Sequence, residues 1–158
     1  MEKGSSVPEG YPVGMRVLAM DDDPTGLSKL EKMLRSCDYQ VTTKASAVED
    51  VRELLDNPMG FDLVMTIVHT KARGIDGFDI LKQVKNRLPV ILFSDEYDPE
   101  MSKRGILGGA CDFMLKPLQI KEISLIWQHV VRRRLFAGCS ANTDVESSVD
   151  SNDDPDDN

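Results

Sequence analysis

Short apolar runs alternate along the chain with longer stretches in which apolar residues recur every three or four positions. Five runs have the length and the uninterrupted apolar or β-branched character of strands that are covered on both faces. They are RVLAM (16–20), a weaker YQVTT (39–43), LVMTIV (63–68), VILF (90–93) and DFML (112–115). Five strands that alternate with helices predict an α/β protein with a doubly wound parallel sheet and right-handed crossovers.

The stretches between the runs predict amphipathic helices. Asp23 is placed to cap the first helix, and Pro24 suits its first turn. Ser46 and Glu49 can form a capping box ahead of the second. A third helix, a weaker fourth at 101–107 and a long last helix follow. The apolar stripes are Leu27, Leu30, Met33 and Leu34; Val48, Val51, Leu54 and Leu55; Phe78, Leu81 and Val84; and Ile120, Ile123, Ile126, Trp127, Val130 and Val131.

The two ends of the chain differ in composition from the part between them. Residues 1–14 predict a flexible lead, 15–134 one domain, and 135–158 an acidic disordered tail. The formal net charge is −8, and seven acids without a base lie between 142 and 158. Without them the charge is about −1, so the acidity belongs to the tail. No run approaches the ~20 apolar residues of a membrane helix, and no membrane span is expected.

Polar residues follow the predicted strands at their carboxyl ends, where parallel sheets place their functional crevice. Asp21 and Asp22 follow the first strand, Ile67 stands near the end of the third, Ser94 follows the fourth, and Lys116 the fifth. Grouped carboxylates suit Mg²⁺, and a facing hydroxyl and lysine would suit a phosphoryl group. Taken alone, the acidic run is better explained as a helix N-terminus, where the helix dipole favours acids. The concurrence of four strand ends favours a site. No GxGxxG or P-loop supports a nucleotide cofactor.

Four motifs together resemble the receiver domain of two-component response regulators: VLAMDDDP, DLVMTIVH followed by DGFDIL, VILFS, and GACDFMLKP. The segment GACDFMLKPLQIKEISLIWQHVVRRR is similar to the end of the receiver in plant type-B regulators. The combination is specific and covers about residues 15–134. The resemblance implies a single receiver domain with a flavodoxin-like (βα)5 fold and strand order 2-1-3-4-5.

The resemblance also assigns a role to each residue at the strand ends. The implied roles are the metal-binding acidic pair for Asp21 and Asp22, the switch hydroxyl for Ser94, the aromatic switch position for Phe113, and the phosphate-contacting lysine for Lys116, with a cis bond to Pro117. Without phosphate, we expect Lys116 to keep an ion pair with Asp21 or Asp22, and Phe113 to be a core or interface residue.

Ile67 occupies the position of the family's phosphoaccepting aspartate. Isoleucine has no nucleophile and no metal ligand, so phosphotransfer should fail and Mg²⁺ should bind only weakly. The loop HTKARGIDG lacks the family's proline and is two residues longer, and the charge of Asp95 would repel phosphate. No other residue substitutes, because Thr66 should point to the other face, Asp62 lies at the wrong end of its strand, and Asp76 opens the third helix.

The expected function is that of a signalling module without enzymatic activity in the plant cytokinin His-to-Asp phosphorelay. The resemblance implies transcriptional regulation and the nucleus, with the cytoplasm as the alternative location. Histidine phosphotransfer proteins or other response regulators would bind the face made by the fifth strand and the last two helices. This chain should not bind DNA, because no basic helical domain follows the acidic segment. The three bases Arg132 to Arg134 are better explained as a solvated helix end than as a nucleic-acid-binding patch.

Three other interpretations stay open. The chain could be a working phosphoacceptor that uses another aspartate. It could be the regulatory receiver of a longer type-B transcription factor with a Myb-like DNA-binding domain, and would then be a fragment or a truncated member. An unrelated flavodoxin-like enzyme is the weakest of the three, since neither an FMN loop nor a catalytic base is apparent.

Overall fold

The computed structural model describes residues 12–44, 60–68 and 76–135. Five strands form one sheet in which all paired neighbours are parallel. They are β1 (Arg16–Met20), β2 (Gln40–Lys44), β3 (Leu63–Ile67), β4 (Val90–Ser94) and β5 (Asp112–Leu115). Their order across the sheet is β2-β1-β3-β4-β5. The predicted flavodoxin-like sheet is therefore confirmed.

Helices connect the described strands or follow them. They are α1 (Pro24–Ser36), α2 (Gly77–Val84), α3 (Pro99–Leu107), α4 (Ile120–Ile123) and α5 (Trp127–Leu135). In the part of the chain that the structure describes, no helix has both the length and the hydrophobicity to cross a membrane. The second predicted helix with its capping box, most of the loop HTKARGIDG, residues 1–11 and the tail from 136 onward lie outside the described residues.

The first and fourth predicted helices begin differently from the sequence prediction. Pro24 opens α1 and Asp23 occupies the N-cap position, as predicted, but the Asp23 side chain makes no capping hydrogen bond. The backbone N–H of Asp23 instead donates to the Asp21 carboxylate at 3.0 Å, which orients the residue toward the strand end. Helix α3 begins two residues before the predicted start, because the Asp98 side chain accepts hydrogen bonds from the first free amides of the helix.

The predicted long last helix is two helices, α4 and α5, joined by a short turn. In the turn, the N–H of Leu125 donates three residues back to Glu122 at 3.1 Å, as in a 3₁₀ turn. The Tyr39 hydroxyl contacts the carbonyl oxygens of Ile123 and Ser124, each at 3.2 Å. The prediction of one continuous helix was wrong because apolar residues three positions apart suit a 3₁₀ turn as well as an α-helix.

The core lies against both faces of the sheet. All residues of β3 and β4 are buried, as their continuous apolar runs predicted. Leu27, Leu30 and Leu34 of α1 are buried too, as are Ile80 and Val84 of α2. Each such side chain contributes about 1.5–3 kcal/mol of hydrophobic stabilisation relative to the exposed state. The central strands are therefore held firmly, and their carboxyl ends are fixed relative to one another.

Candidate functional site

The carboxyl ends of four strands meet at one edge of the sheet. Thr66 of β3 pairs in register with Met20 of β1, and Ser94 of β4 pairs with Leu115 of β5. Asp21 and Lys116 directly follow β1 and β5, so they project from the same edge as the end of β3. The structure thus brings together Asp21, Ile67 and Lys116, as the sequence predicted.

Lys116 is held between two carboxylates at this edge. Its Nζ lies 2.6 Å from Oδ2 of Asp21 and 3.4 Å from Oδ1 of Asp95. Burial acts to lower the pKa of Lys116, but the hydrogen bond and charge of Asp21, supported by Asp95, raise the pKa above its ordinary value of 10.5. The Asp21 side chain is 1% exposed, so the ammonium compensates a buried charge. The predicted ion pair of Lys116 is confirmed with Asp21 as its partner. The bond from Lys116 to Pro117 is cis, as the resemblance implied.

The contact between Asp95 and Lys116 was not predicted from the sequence. Asp95 was expected only to repel phosphate, but its carboxylate pairs with Lys116 while its side chain stays 58% exposed to solvent. The sequence nevertheless contained the information needed to predict this contact. Asp95 follows Ser94 at the end of β4, and Ser94 is level with Leu115 of the neighbouring strand. The strand order alone therefore places Asp95 beside Lys116.

Ile67 ends β3 at the edge of the sheet where Lys116 pairs with Asp21. Strand β3 lies between β1 and β4. The Lys116 ammonium lies 5.6 Å from the ring centroid of Phe93 in β4 and reaches Asp21 beyond β1. Ile67 pairs in register with Phe93, and such partners project to the same face of a sheet. Ile67 is 2% exposed. The buried alkyl side chain of Ile67 therefore lies at the end of β3, on the face of the sheet to which Phe93 projects.

Asp21 and Asp22, which follow β1, are the candidate ligands for a divalent cation at this edge. Asp22 has one buried oxygen, Oδ2, without a hydrogen-bond partner among the described residues. Both oxygens of the Asp21 carboxylate accept hydrogen bonds, one from the backbone N–H of Asp23 and one from Lys116. Mg²⁺ usually takes one or two carboxylates and several waters, but here an ammonium already neutralises one carboxylate. Within residues 12–44, 60–68 and 76–135, no three potential ligands from His, Cys, Asp and Glu are grouped.

The two expected switch positions are engaged in local packing. Ser94 is 3% exposed, and its Oγ donates to the carbonyl of Glu96 at 3.0 Å while accepting from the Glu96 N–H at 3.1 Å. Phe113 is half-buried and packs against the core. A Cβ added at Gly105 of α3 would lie 3.1 Å from the Phe113 ring. The packing of Phe113 agrees with the structural role expected for it. The Ser94 hydroxyl is occupied by hydrogen bonds within the turn that follows β4.

A groove of about 340 Å³ opens beside Lys116. The first turn of α1 forms one of its walls, and a Cβ added at Gly26 would lie 2.9 Å from Lys116 Nζ and 3.0 Å from Asp21 Oδ2. Helix α1 therefore packs closely over the ion pair, a role for Gly26 that the sequence did not suggest. The groove is lined by Asp23, Thr25, Gly26, Lys29, Leu30, Met33, Asp95, Lys116, Pro117 and Leu118.

Two residues considered as substitute acceptors are held by backbone groups. Thr66 is fully buried, and its hydroxyl donates to the carbonyl of Ile67 at 3.1 Å. Thr66 is the strand neighbour of Ile67, so it projects to the opposite face. Asp76 caps α2, because its carboxylate accepts from the amides of Phe78 and Asp79. Neither side chain is oriented as a nucleophile toward Lys116.

Asp62 lies beside the amino end of β3, away from this edge. Its carboxylate accepts hydrogen bonds from the backbone and guanidinium of Arg16, at 2.8 and 3.0 Å, and from Arg134 at 2.9 Å. Burial acts to raise the pKa of Asp62, but the hydrogen bonds and charge of Arg16, with the charge of Arg134, hold it below its ordinary value of 3.8. The prediction that Asp62 lies at the wrong end for phosphotransfer is confirmed.

Comparison with known proteins agrees with this geometry. Residues 17–127 match the family model of the response regulator receiver domain. The chain is 45% identical over 126 residues to the two-component response regulator ARR11 of Arabidopsis thaliana, and 47% identical over 126 residues to ORR22 of Oryza sativa subsp. japonica. Both matches cover 78% of this chain, but only 24% and 18% of those proteins. The chain thus spans a quarter or less of these relatives' length.

Solved structures show the same fold. A receiver domain protein from Clostridium thermocellum superposes with a TM-score of 0.69, covers 78% of this chain and 98% of its own, and is 23% identical. A response regulator from Chloroflexus aurantiacus gives a TM-score of 0.66 at 27% identity, covering 76% of this chain and 99% of its own. The similarity to ARR11 and the related plant proteins supports the homology to plant type-B regulators.

Proposed function

Because the chain belongs to the response regulator receiver family, we propose that it is a receiver module that does not accept a phosphoryl group and acts through protein contacts. The observation that carries this proposal is the position of Ile67. It ends β3, level with Phe93 of β4 and next to the strand end that carries Asp21, the partner of Lys116. Formation of an acyl phosphate requires a carboxylate oxygen there, and an alkyl chain supplies none.

The surrounding charges support the same proposal. An incoming phosphoryl group brings negative charge, and the cation that would neutralise it, Lys116, is already paired with Asp21 and Asp95. Mg²⁺ would bind weakly at Asp21 and Asp22, because the acceptor carboxylate that completes such a donor set is missing. On this proposal Asp21, Asp22 and Lys116 stabilise the fold, and Ser94 and Phe113 hold structural positions rather than working as a switch.

Phosphotransfer labelling tests the proposal. The full chain is incubated with Mg²⁺ and a histidine phosphotransfer protein that carries labelled phosphate on its histidine, and a receiver with an acceptor aspartate serves as the positive control. We expect label on the control and none on this chain. Base-labile phosphate on the chain would contradict the proposal. Asp95→Asn and Asp76→Asn variants would then show whether a relocated aspartate accepts the phosphoryl group.

The face made by α3, β5 and α4 supports a role in binding. Four large apolar side chains are exposed there: Ile106 (46%), Leu107 (76%), Leu115 (42%) and Ile120 (50%). Clustered apolar exposure of this kind is typical of interaction surfaces. We propose that histidine phosphotransfer proteins or other response regulators bind this face, in the cytokinin phosphorelay of the nucleus, with an effect on transcription.

A binding measurement tests this face separately from phosphorylation. Titration calorimetry with a histidine phosphotransfer protein, and with the receiver of a related regulator, would compare the wild type with Leu107→Asp. Val13→Asp is the matched control, since Val13 is also exposed (63%) but lies on the segment before β1. We expect Leu107→Asp to weaken binding at least ~10-fold, the effect of about 1.4 kcal/mol, and Val13→Asp to leave it unchanged. Equal effects of the two variants would refute the assignment of this face.

A second candidate function follows from the length of the relatives. Because this chain corresponds to at most about a quarter of ARR11 and related regulators, it would also suit the regulatory receiver of a longer DNA-binding transcription factor. Sequencing of transcripts through the codon for Asn158 distinguishes the two. A reading frame that continues into a basic helical domain favours the longer factor, and a stop codon favours the separate module.

A further inference from the structure

A second cluster of charged side chains lies at the edge of the sheet opposite to the candidate functional site. Helix α5 carries His129, Arg132 and Arg133, and these three basic residues line a cavity of about 360 Å³. Pro89 and Cys111 complete the lining. They directly precede β4 and β5, so the cavity opens at the amino ends of these strands.

Within the described part of the chain, neither arginine of the cavity forms an ion pair with a carboxylate. The Arg132 guanidinium contacts a glutamine side chain of its own helix at 3.5 Å. The Arg133 guanidinium donates to the backbone carbonyl of Lys85 at 2.8 Å. The next arginine of the helix, in contrast, pairs with Asp62 at 2.9 Å. Arg132 and Arg133 therefore keep N–H donors for a planar acceptor such as a carboxylate.

His129 adds a third positive charge to the cavity. Its Nε2 lies 3.6 Å from the carboxylate of Asp112. Hydrogen bonding to Asp112 raises the pKa of His129 to about 9, although burial opposes the shift. The ring is therefore protonated at neutral pH. Three cations and one carboxylate leave this group of side chains with a net charge of +2, which favours an anionic ligand.

The acids that could neutralise this cavity lie farther along the same chain. Residues 142–158 carry seven acids and no base. The first of these acids, Asp144, is nine positions beyond Leu135, the last residue of α5. Nine residues span at most about 30 Å, and Arg132 lies within one helical turn of Leu135, so the segment can reach the cavity. A short tether gives an effective concentration on the order of 1 mM, so a site with a dissociation constant of about 1 mM would be occupied in about half of the molecules.

We propose that the cavity at the amino ends of β4 and β5 binds the acidic segment 142–158 of this chain, with carboxylates of the segment on Arg132 and Arg133. The Arg133 guanidinium is already held by the carbonyl of Lys85, so it loses little conformational freedom when a carboxylate binds. The contact is electrostatic and weakens as salt screens the charges. Binding neutralises part of the charge of the segment and holds it at the amino edge of the sheet. This site is independent of the function proposed for the carboxyl edge.

Side-chain NMR of the full chain tests the proposal. In a neutralised variant, the seven acids of 142–158 are replaced by their amides, changes that lie beyond α5. We expect the Nε–H signals of Arg132 and Arg133 to differ between the wild type and this variant. The signal of Arg35, which pairs with Glu31 on α1, should stay in place. In about 1 M salt, where the Debye length is about 3 Å, the wild-type signals should move to the positions of the variant. Unchanged signals of Arg132 and Arg133, or equal shifts of all three arginines, would overturn the proposal.

A reciprocal experiment identifies the occupant of the cavity. Arg132 and Arg133 are exposed, so the double variant Arg132→Gln, Arg133→Gln should fold. It should move the backbone amide signals of 142–158, and the control Arg35→Gln should leave them in place. Equal effects of the double variant and the control would refute a defined site.

Competition separates the segment from a small oxyanion. A peptide with the sequence of residues 142–158, added to the neutralised variant at about 10 mM, well above the effective concentration of the tethered segment, should return the Arg132 and Arg133 signals to their wild-type positions. Inorganic phosphate at the same concentration should not. Failure of the peptide, or equal action of phosphate, would overturn the assignment of the segment to this cavity.

Discussion

Replacement of Ile67 by aspartate should restore a cation site at the cost of stability. Ile67 is 2% exposed at the end of β3, so loss of its buried alkyl group should cost about 1.5–3 kcal/mol. The new carboxylate would lie near those of Asp21 and Asp22, and its incomplete compensation should cost roughly 1–3 kcal/mol more. We therefore expect Ile67→Asp to lower the free energy of unfolding by about 2.5–6 kcal/mol in the absence of divalent cations.

Magnesium should recover a large part of that loss in the variant alone. Ile67→Asp completes a group of three carboxylates, and a cation present at 100 times its dissociation constant stabilises the folded state by about 2.7 kcal/mol. In the wild type, the Lys116 ammonium neutralises Asp21, and the described residues contain no group of three potential metal ligands. The wild-type free energy of unfolding should therefore change by less than about 0.5 kcal/mol over the same titration.

Urea unfolding followed by the fluorescence of Trp127, the single tryptophan, measures both effects across a magnesium series. Ile67→Asn is the matched control, because asparagine has nearly the same shape as aspartate but no charge. It should show the loss of stability without its recovery by magnesium. Equal stabilisation of the wild type and Ile67→Asp by magnesium would refute the reasoning. It would mean that Asp21 and Asp22 alone already form the cation site.

Three further predictions follow from the ion pairs. Lys116→Met should lower the free energy of unfolding by about 3 kcal/mol, because it leaves the buried Asp21 charge unpaired. Asp95→Ala should lower it by less than about 1 kcal/mol, because Asp95 is half-exposed. Urea unfolding measures both changes. The pKa of Asp62 lies below 3.8, so its contribution to the stability of the fold is present above pH 3.8 and is lost as the pH falls further. The difference in free energy of unfolding between Asp62→Asn and the wild type should therefore be smallest in acid. The pKa of His129 is raised to about 9, so its contribution to the stability of the fold is full below pH 6.5 and is lost as the pH rises through about 9. Asp112→Asn should move the pKa of the His129 ring, measured by NMR, toward 6.5.

Much of the fold could be predicted because a buried parallel strand has a distinct sequence pattern. VILF and LVMTIV are continuous apolar runs, and β4 and β3 are buried along their whole lengths. The order of the strands came from the resemblance, since alternation alone does not say where the sheet reverses. The pair of Lys116 with Asp21 was predictable because both residues follow strands that end at the same edge.

Other features depend on contacts that no local pattern encodes. The break between α4 and α5 coincides with a contact from Tyr39, more than eighty positions away. Asp23 occupies the N-cap position of α1 without a side-chain capping hydrogen bond, an outcome that local propensity does not predict. The contact of His129 with Asp112 also needs the fold, since the two residues meet only when α5 packs beside the start of β5.

The most direct test of the central claim is the intact mass of the chain after incubation with a small phosphodonor, acetyl phosphate, and excess Mg²⁺. A small donor reacts without a partner protein, so the result depends on the chemistry at the end of β3 alone. We predict that the wild-type mass does not change under conditions in which a receiver with an acceptor aspartate gains one phosphoryl group. A gain of one base-labile phosphoryl group by the wild type would contradict the account, and peptide mapping would locate the carboxylate that accepted it.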